Sequence, residues 1–371
     1  MLKALKRLSE CVAVAALSGC GGDVDADRIT ITETQPFGAG FALIREIIPE
    51  QNDSALIGAV THLAVASDGR ILITDGQQGT VFLYAPDGTL ERRIGRPGDG
   101  PGEFRSAFRS QVAPSGQIVV LDPLLRRIQV FDALGGLIRI VPLERYGYPN
   151  DLAVLQDDSF LLTVSDPADA RVLLRIAPSG EEVWRHLPIG REVPDGEQDG
   201  PVWQGPRFYS LALRRDTAWV ITTLRSTLWK VALASRSISR LEVAFPGYLP
   251  PNLPPPSAGQ RSGWEWMASR HLTGLLQRGD KELYWPFIQG QPYDDGPRML
   301  LRRNAANRWL AYNDVSHGRG IARGYPDSCS WAGRRRYACA VLRAALKRGS
   351  YATERQPTRS AATLASMNRA G

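Results

Sequence analysis

Gln111-Val-Ala-Pro-Ser-Gly116, Ile118-Val-Val-Leu-Asp122, Arg127-Ile-Gln-Val-Phe131 and Leu134-Gly-Gly136 follow one another within 26 residues. Two dense runs of Ile, Val, Leu and Phe are bounded by Ser-Gly and Gly-Gly. Runs this short, rich in β-branched and aromatic residues and separated by turn residues, read as strands of an antiparallel sheet. They are nearly continuous in apolar character, so both faces of each strand are expected to be covered.

The same unit recurs outward in both directions. Leu63-Ala-Val-Ala-Ser-Asp-Gly69, Ile71-Leu-Ile-Thr-Asp75, Val81-Phe-Leu-Tyr84 and Pro86-Asp-Gly88 precede it. A third copy runs through Asp151-Leu-Ala-Val154, Phe160–Val164, Val172–Ile176 and Pro178-Ser-Gly180. A fourth is Leu211–Leu213, Ala218–Thr222 and Leu228–Val231; a fainter fifth is His271–Leu275, Glu282–Trp285 and Met299–Arg302. Starts near 63, 112, 152, 211 and 272 are 49, 40, 59 and 61 residues apart. Units of three or four strands at roughly 40–50 residues predict propeller blades. The fold class is therefore all-β, a β-propeller with five legible blades. The two long spacings hold Pro- and Gly-rich insertions, Pro188 to Pro206 and Pro246 to Gln260. Insertions of this kind gather on one face of a repeat protein, often the binding face.

A more specific likeness sits around the second copy. Ile94-Gly-Arg-Pro-Gly-Asp-Gly-Pro-Gly-Glu-Phe104, then Val119–Asp122 and Arg127-Ile-Gln-Val-Phe-Asp132, resembles an NHL repeat. It is similar in particular to the NHL-like six-bladed propellers of bacterial exported proteins. The resemblance implies a sixth blade and a structural pair, Asp122 with Arg127, tying two strands of one blade. Closure by an N-terminal strand is expected, with Arg28–Thr34 or Phe41–Ile48 as the candidates.

Lys3, Lys6 and Arg7 precede the short apolar run Cys11–Leu17 and then Leu17-Ser-Gly-Cys20. The run is too short to span a bilayer. This stretch resembles a bacterial lipoprotein signal, which implies cleavage before Cys20, lipidation of its sulfur and membrane anchoring through it. Multiple acyl chains suffice for stable anchoring. Gly21 in place of Asp favours an outer membrane, facing the periplasm or the cell surface. The expected organisation is signal peptide 1–19, tether 20–27, propeller 28–328 and a basic, disordered tail 329–371.

The 371 residues sum to +7, yet the last 43 carry +8 and the preceding 328 carry −1. A near-neutral body offers no footprint for nucleic acid. Cys11, Cys20, Cys329 and Cys339 leave residues 21–328 without a thiol, and His62, His186, His271 and His317 are scattered. Neither a thiolate zinc site nor a cysteine nucleophile is expected in the body. The tail shows no strand periodicity. It reads as a natural extension or, preferably, as unrelated sequence replacing the last blade. Ala338–Leu346 within it suggests a short helix.

Gly98–Glu103 lacks the Lys-Ser/Thr and βαβ context of a phosphate loop and reads as a connection between blades. Asp195, Glu197 and Asp199 mimic the start of a calcium loop without its later Glu, so no metal or other cofactor is assigned. Trp203, Phe208, Tyr209, Trp264 and Trp266 lie in or beside the insertions and, with His271, are the candidate ligand-binding residues. No catalytic residue is assigned. The expected function is a binding scaffold for a protein, peptide or glycan. The alternative is a lyase or lactone hydrolase acting at the central channel, since streptogramin-type lyases and gluconolactonase-like hydrolases are related propellers. Polar groups converging there from several blades are the feature that separates the two.

Overall fold

The computed structural model describes residues 26–36, 39, 41–52, 56–190, 209–222, 226–245, 270–272, 276–278, 282–289, 298–303, 308–313, 338–341 and 363–369. Three strands come first: β1 (Ala26–Thr30), β2 (Thr34–Pro36) and β3 (Phe41–Ile47). Blade one is β4 (Val60–Val65), β5 (Ile71–Asp75), β6 (Thr80–Tyr84) and β7 (Leu90–Ile94). A small ladder, β8 (Arg96–Pro97) with β9 (Glu103–Phe104), leads to blade two. That blade is β10 (Arg109–Val112), β11 (Ile118–Asp122), β12 (Arg127–Phe131) and β13 (Leu137–Pro142). After a 3-10 turn at Glu144–Tyr146 comes blade three: β14 (Tyr148–Val154), β15 (Phe160–Ser165), β16 (Leu173–Ile176) and β17 (Glu182–His186). Blade four is β18 (Tyr209–Arg214), β19 (Thr217–Thr222), β20 (Thr227–Ala232) and β21 (Ile238–Ala244). Blade five is β22 (Arg270–Leu272), β23 (Leu276–Arg278), β24 (Glu282–Gln289), β25 (Arg298–Arg303) and β26 (Trp309–Asn313). A sixth sheet joins β27 (Ala338–Val341), β28 (Thr363–Arg369) and β3.

Within blades one to four each strand pairs antiparallel with the next, as the turn spacing requires. The first strand of each blade is innermost, because β4, β10, β14 and β18 meet one another in that order and β27 meets β4. All five residues of β5, β6 and β11 are buried. Their partners lie in the neighbouring blades. One core cluster joins Leu72, Val81 and Leu83 to Ile118, Val120 and Phe131 across blades one and two. Another joins Val119, Ile128 and Val130 to Leu152, Leu162 and Leu174 across blades two and three. A third joins Leu161 and Leu173 to Leu211, Val220 and Trp229 across blades three and four. Each fully buried Leu, Ile or Phe there contributes roughly 1.5–3 kcal/mol.

Of the two expected closure strands, one takes its place in the sixth sheet and the other does not. Of the two candidates, the segment around Arg28–Thr34 does not complete the last blade. β1 instead lies parallel to β21 on the outer edge of blade four, and β2 lies parallel to β26 on blade five. β3, within the second candidate, pairs antiparallel with β28 in the sixth sheet. The tail therefore supplies strands where disorder was expected, and Ala338–Val341 is strand rather than helix. Ladder partners on β28 override the helical preference of Ala.

Asp122 and Arg127 are direct cross-strand partners in the β11–β12 register, but their side chains hold a loop instead of each other. The Asp122 carboxylate is buried and accepts from the amides of Arg105 (2.8 Å), Ser106 (3.3 Å) and Leu125 (3.1 Å). Arg127 donates to the carbonyls of Asp99 (2.9 Å), Gly100 (2.7 Å) and Glu103 (2.8 Å). Together they pin the Gly-rich connection onto blade two. Its glycines are needed where the chain crowds itself: Gly95 has φ +77°, and a Cβ there would overlap the Phe104 ring. Asp75 repeats the arrangement in blade one, accepting from the amides of Gly58, Ala59, Gln77 and Gln78. Asp122→Ala leaves those amides without their acceptor and is expected to cost about 2–4 kcal/mol. Arg127→Met, at a more exposed position, is expected to cost less. Thermal unfolding followed by circular dichroism checks the order.

Candidate functional site

The polar residues that interrupt the apolar inner strands come together. His62 on β4, Arg109 and Ser110 on β10, Asp151 on β14 and Ser210 on β18 are all buried. They lie on four successive blades near the N-terminal ends of the inner strands, hence around one end of the channel. That end is the loop face, where connections between blades arrive. The opposite end, where the first and second strands of a blade join, is the turn face.

Asp151 is the hub. Its carboxylate pairs with Arg109 and accepts from the amides of Leu211 (2.7 Å) and Leu152 (2.6 Å) and from Ser210 Oγ (3.2 Å). On the other side, Ser110 Oγ meets Thr74 Oγ1 at 2.7 Å, and the Ser110 amide donates to His62 Nδ1 at 3.4 Å. Burial, then the charge of Arg109, holds His62 well below its ordinary pKa of 6.5. The imidazole is neutral near pH 7. With Nδ1 accepting, its proton sits on Nε2. A base needs a free lone pair, and His62 has committed its own. The Asp151 oxygens are likewise taken up, by Arg109, two backbone amides and the Ser210 hydroxyl.

Asn150 lies beside Asp151 where the β14–β15 register slips by one residue. Its Nδ2 donates to Tyr148 O (3.1 Å) and Ser165 Oγ (2.9 Å), and its Oδ1 is buried without a hydrogen bond. It is a buried acceptor at the loop face, and its signal in the sequence is the polar pair Asn150-Asp151 opening an apolar strand.

Of the residues read from the sequence as ligand-binding, Tyr209 is 3% exposed and packs between blades three and four with Leu161, Val172 and Leu211. It is a core residue, not an exposed aromatic. His271 occupies β22, paired with Ile288 at the loop-face end of blade five. Trp203, Phe208, Trp264, Trp266 and Cys20 lie outside the described residues, as do Asp195, Glu197 and Asp199. The segments bearing Trp203 and Trp264 leave and rejoin the ring at Gly190, Tyr209, Phe245 and Arg270, all at the loop face. Among the described residues no three of His, Cys, Asp and Glu group as metal ligands would.

A separate open cleft of about 370 Å³ lies between blades two and three, lined by Arg145, Tyr146, Asp169, Arg171, Glu181, Glu182 and Arg185. Its charges pair internally. Arg171 meets Asp169 at 2.7 Å, and the buried Arg185 reaches Asp166 and Asp169 at 3.2 Å each. Arg171 holds the Asp169 carboxyl far below the usual carboxylate range.

Comparisons with known proteins agree on the fold. A family model described as a 6-bladed beta-propeller matches residues 34–150. No curated protein matches the chain by sequence. A Bacteroides fragilis protein assigned as exported is 14% identical, with a TM-score of 0.57 over 77% of this chain and 80% of its own. A Bacteroides vulgatus protein of another family is 11% identical, with a TM-score of 0.54 over 74% of this chain and 86% of its own. Virginiamycin B lyase from Staphylococcus aureus is 14% identical, with a TM-score of 0.47 over 77% of each chain. That last likeness carries no argument about activity.

Asp151→Ala leaves Arg109 buried without its anion and is expected to cost about 3–5 kcal/mol. Replacing both, as Arg109→Met with Asp151→Leu, is expected to restore much of the loss in chemical denaturation. The depressed pKa of His62 means the unfolded chain takes up a proton first as pH falls. Its contribution is present above 6.5 and is lost as pH drops below that value towards the folded pKa. Melting temperatures measured from pH 7.5 to 5 are expected to fall, and less steeply in His62→Gln.

Proposed function

We propose that this chain is an exported, lipid-anchored propeller that binds a protein, peptide or glycan at its loop face. The observation that carries the reading is the fate of the inner polar residues. Asp151, Arg109, Ser110 and His62 spend their donors and acceptors on one another and on neighbouring backbone. They tie blades together and offer no free acid or base. Recognition is then left to the Trp-bearing insertions, whose described end points Gly190, Tyr209, Phe245 and Arg270 lie at the loop face, and to the acceptor Asn150 Oδ1. Export and anchoring rest on the lipoprotein-like signal ending in Cys20. The competing reading, a lyase or lactone hydrolase at the channel, draws on the convergence of polar groups from four blades. It needs one of them released from its present partners.

Glycan and peptide arrays probed with residues 21–371 provide the test. A ligand whose binding falls about tenfold or more in Trp203→Ala or Trp264→Ala, with Asp151→Asn near wild type at a temperature where it stays folded, supports the scaffold. Turnover of a lactone or a streptogramin-type ester that disappears in His62→Gln would establish the enzyme instead.

A further inference from the structure

We propose that the turn-face corner of blade four is a docking surface for anionic membrane lipid, and that the propeller rests on the bilayer there. This inference builds on the anchoring reading above but stands on a separate observation, the charge of the turns. The turn-face loops of blades one to three carry exposed acids: Asp68 and Asp87, Asp132, then Asp157 and Glu181. The equivalent loops of blade four carry Arg214, Arg215 and Arg236, with Asp216 as their acid. The turn residues 214–217 and 232–238 sum to +2, whereas the equivalent turn residues 155–159 and 177–181 of the adjacent blade sum to −3. The basic residues share one corner because Thr217 pairs with Ala232 and the Leu233 amide donates to Asp216 O at 2.7 Å. Lys230 lies at the same end, across from Ser239, and is exposed with Arg215 and Arg236.

The chain's N-terminal segment arrives at this corner. β1 starts at Ala26, which pairs with Arg240 just beyond the Arg236 turn, and Arg28 on the same strand is exposed. Cys20 is six residues away. An extended tether of that length reaches roughly 20 Å at most. An acylated Cys20 therefore holds this corner, and not the acidic ones, within reach of the headgroups. Each basic residue near an anionic surface contributes about 1 kcal/mol at moderate salt. The chain leaves the described ring for its two long insertions at Gly190 and Phe245, on the opposite face.

The test uses unacylated residues 21–371 and vesicles of phosphatidylcholine with or without phosphatidylglycerol, read by co-sedimentation. Binding is expected on the anionic vesicles, lost at high salt, and reduced about tenfold or more by Lys230→Glu with Arg236→Glu. Arg92→Glu, an equal kind of change on blade one, is expected to leave it unaltered, and matching circular dichroism shows that the variants are folded. Equal binding to neutral vesicles, no binding, or indifference to the double reversal overturns the docking surface, whatever the state of Cys20. Acyl labelling of Cys20 in cells is read separately. Absence of label with the vesicle result intact overturns the anchor and leaves the surface standing.

Discussion

A strand buried on both faces needs a neighbour on each side, and in this chain every neighbour is another blade. β11 and β12 place Ile118, Val120 and Phe131 against blade one and Val119, Ile128 and Val130 against blade two's other neighbour. A single four-stranded blade cannot bury such strands by itself. The ring is thus the smallest unit that satisfies any one copy of the repeat. The strap formed by β1, β2 and β3 follows from the same constraint. It lays one strand on each of blades four and five and one in the sixth sheet before the chain enters blade one. Outer edges that would present unpaired amides are covered on those blades, while β7, β13 and β17 remain at their sheets' edges.

The inner ring faces a different problem. Near the axis the strands crowd, and the residues there are polar yet buried. Desolvating Asp151 and Arg109 is costly, and their attraction offsets it only with good geometry and every remaining oxygen satisfied. Two backbone amides and a serine hydroxyl meet that condition. Because the Leu211 amide belongs to blade four, Arg109 to blade two and Asp151 to blade three, one carboxylate fixes the relative height of three blades. Apolar packing tolerates small slips between sheets; this clamp does not. The neutral His62 extends it to blade one through the Ser110 amide.

Much of this was legible because blades are local. A blade is complete within 40 residues or so, its turns are announced by Asp-Gly and Ser-Gly, and its buried strands are unbroken apolar runs. What eluded the sequence is non-local. Nothing in Ala26–Thr30 indicates that its partner is Ile238–Ala244, since pairing over such a separation leaves no periodic trace. Ala338–Val341 carries a helical composition and becomes a strand through its ladder to β28. Asp122 and Arg127 are register partners across the hairpin end, but that position does not decide where side chains reach. The Gly-rich loop offered each a better partner. Tyr209 differs for a related reason: its place at an insertion's edge suggests exposure, while blade three covers it. The clamp itself has a signal in the sequence. Isolated polar residues at the first strand of consecutive copies (His62, Arg109, Asp151, Ser210) mark a ring of contacts once the copies are stacked.

The two faces of the ring differ in charge and in chain path. On the turn face, short Asp-bearing loops surround blades one to three and a basic corner marks blade four, where the N-terminal segment enters. On the loop face the chain leaves the described ring at Gly190 and Phe245 and returns at Tyr209 and Arg270, and the buried polar residues of four inner strands lie at that same end. The proposed anchor on the first face and the proposed recognition on the second would avoid a steric conflict that a tether emerging among binding loops would create. The strap makes that separation possible. By running along the rim from blade four to the sixth sheet, it lets the chain begin at one corner of the turn face and still complete the ring next to blade one. The parallel pairing of β1 with β21 is then more than an edge cover. Antiparallel pairing of the same strand would start it at the Ala244 end, on the loop face, and bring any membrane anchor to the side where partners must approach.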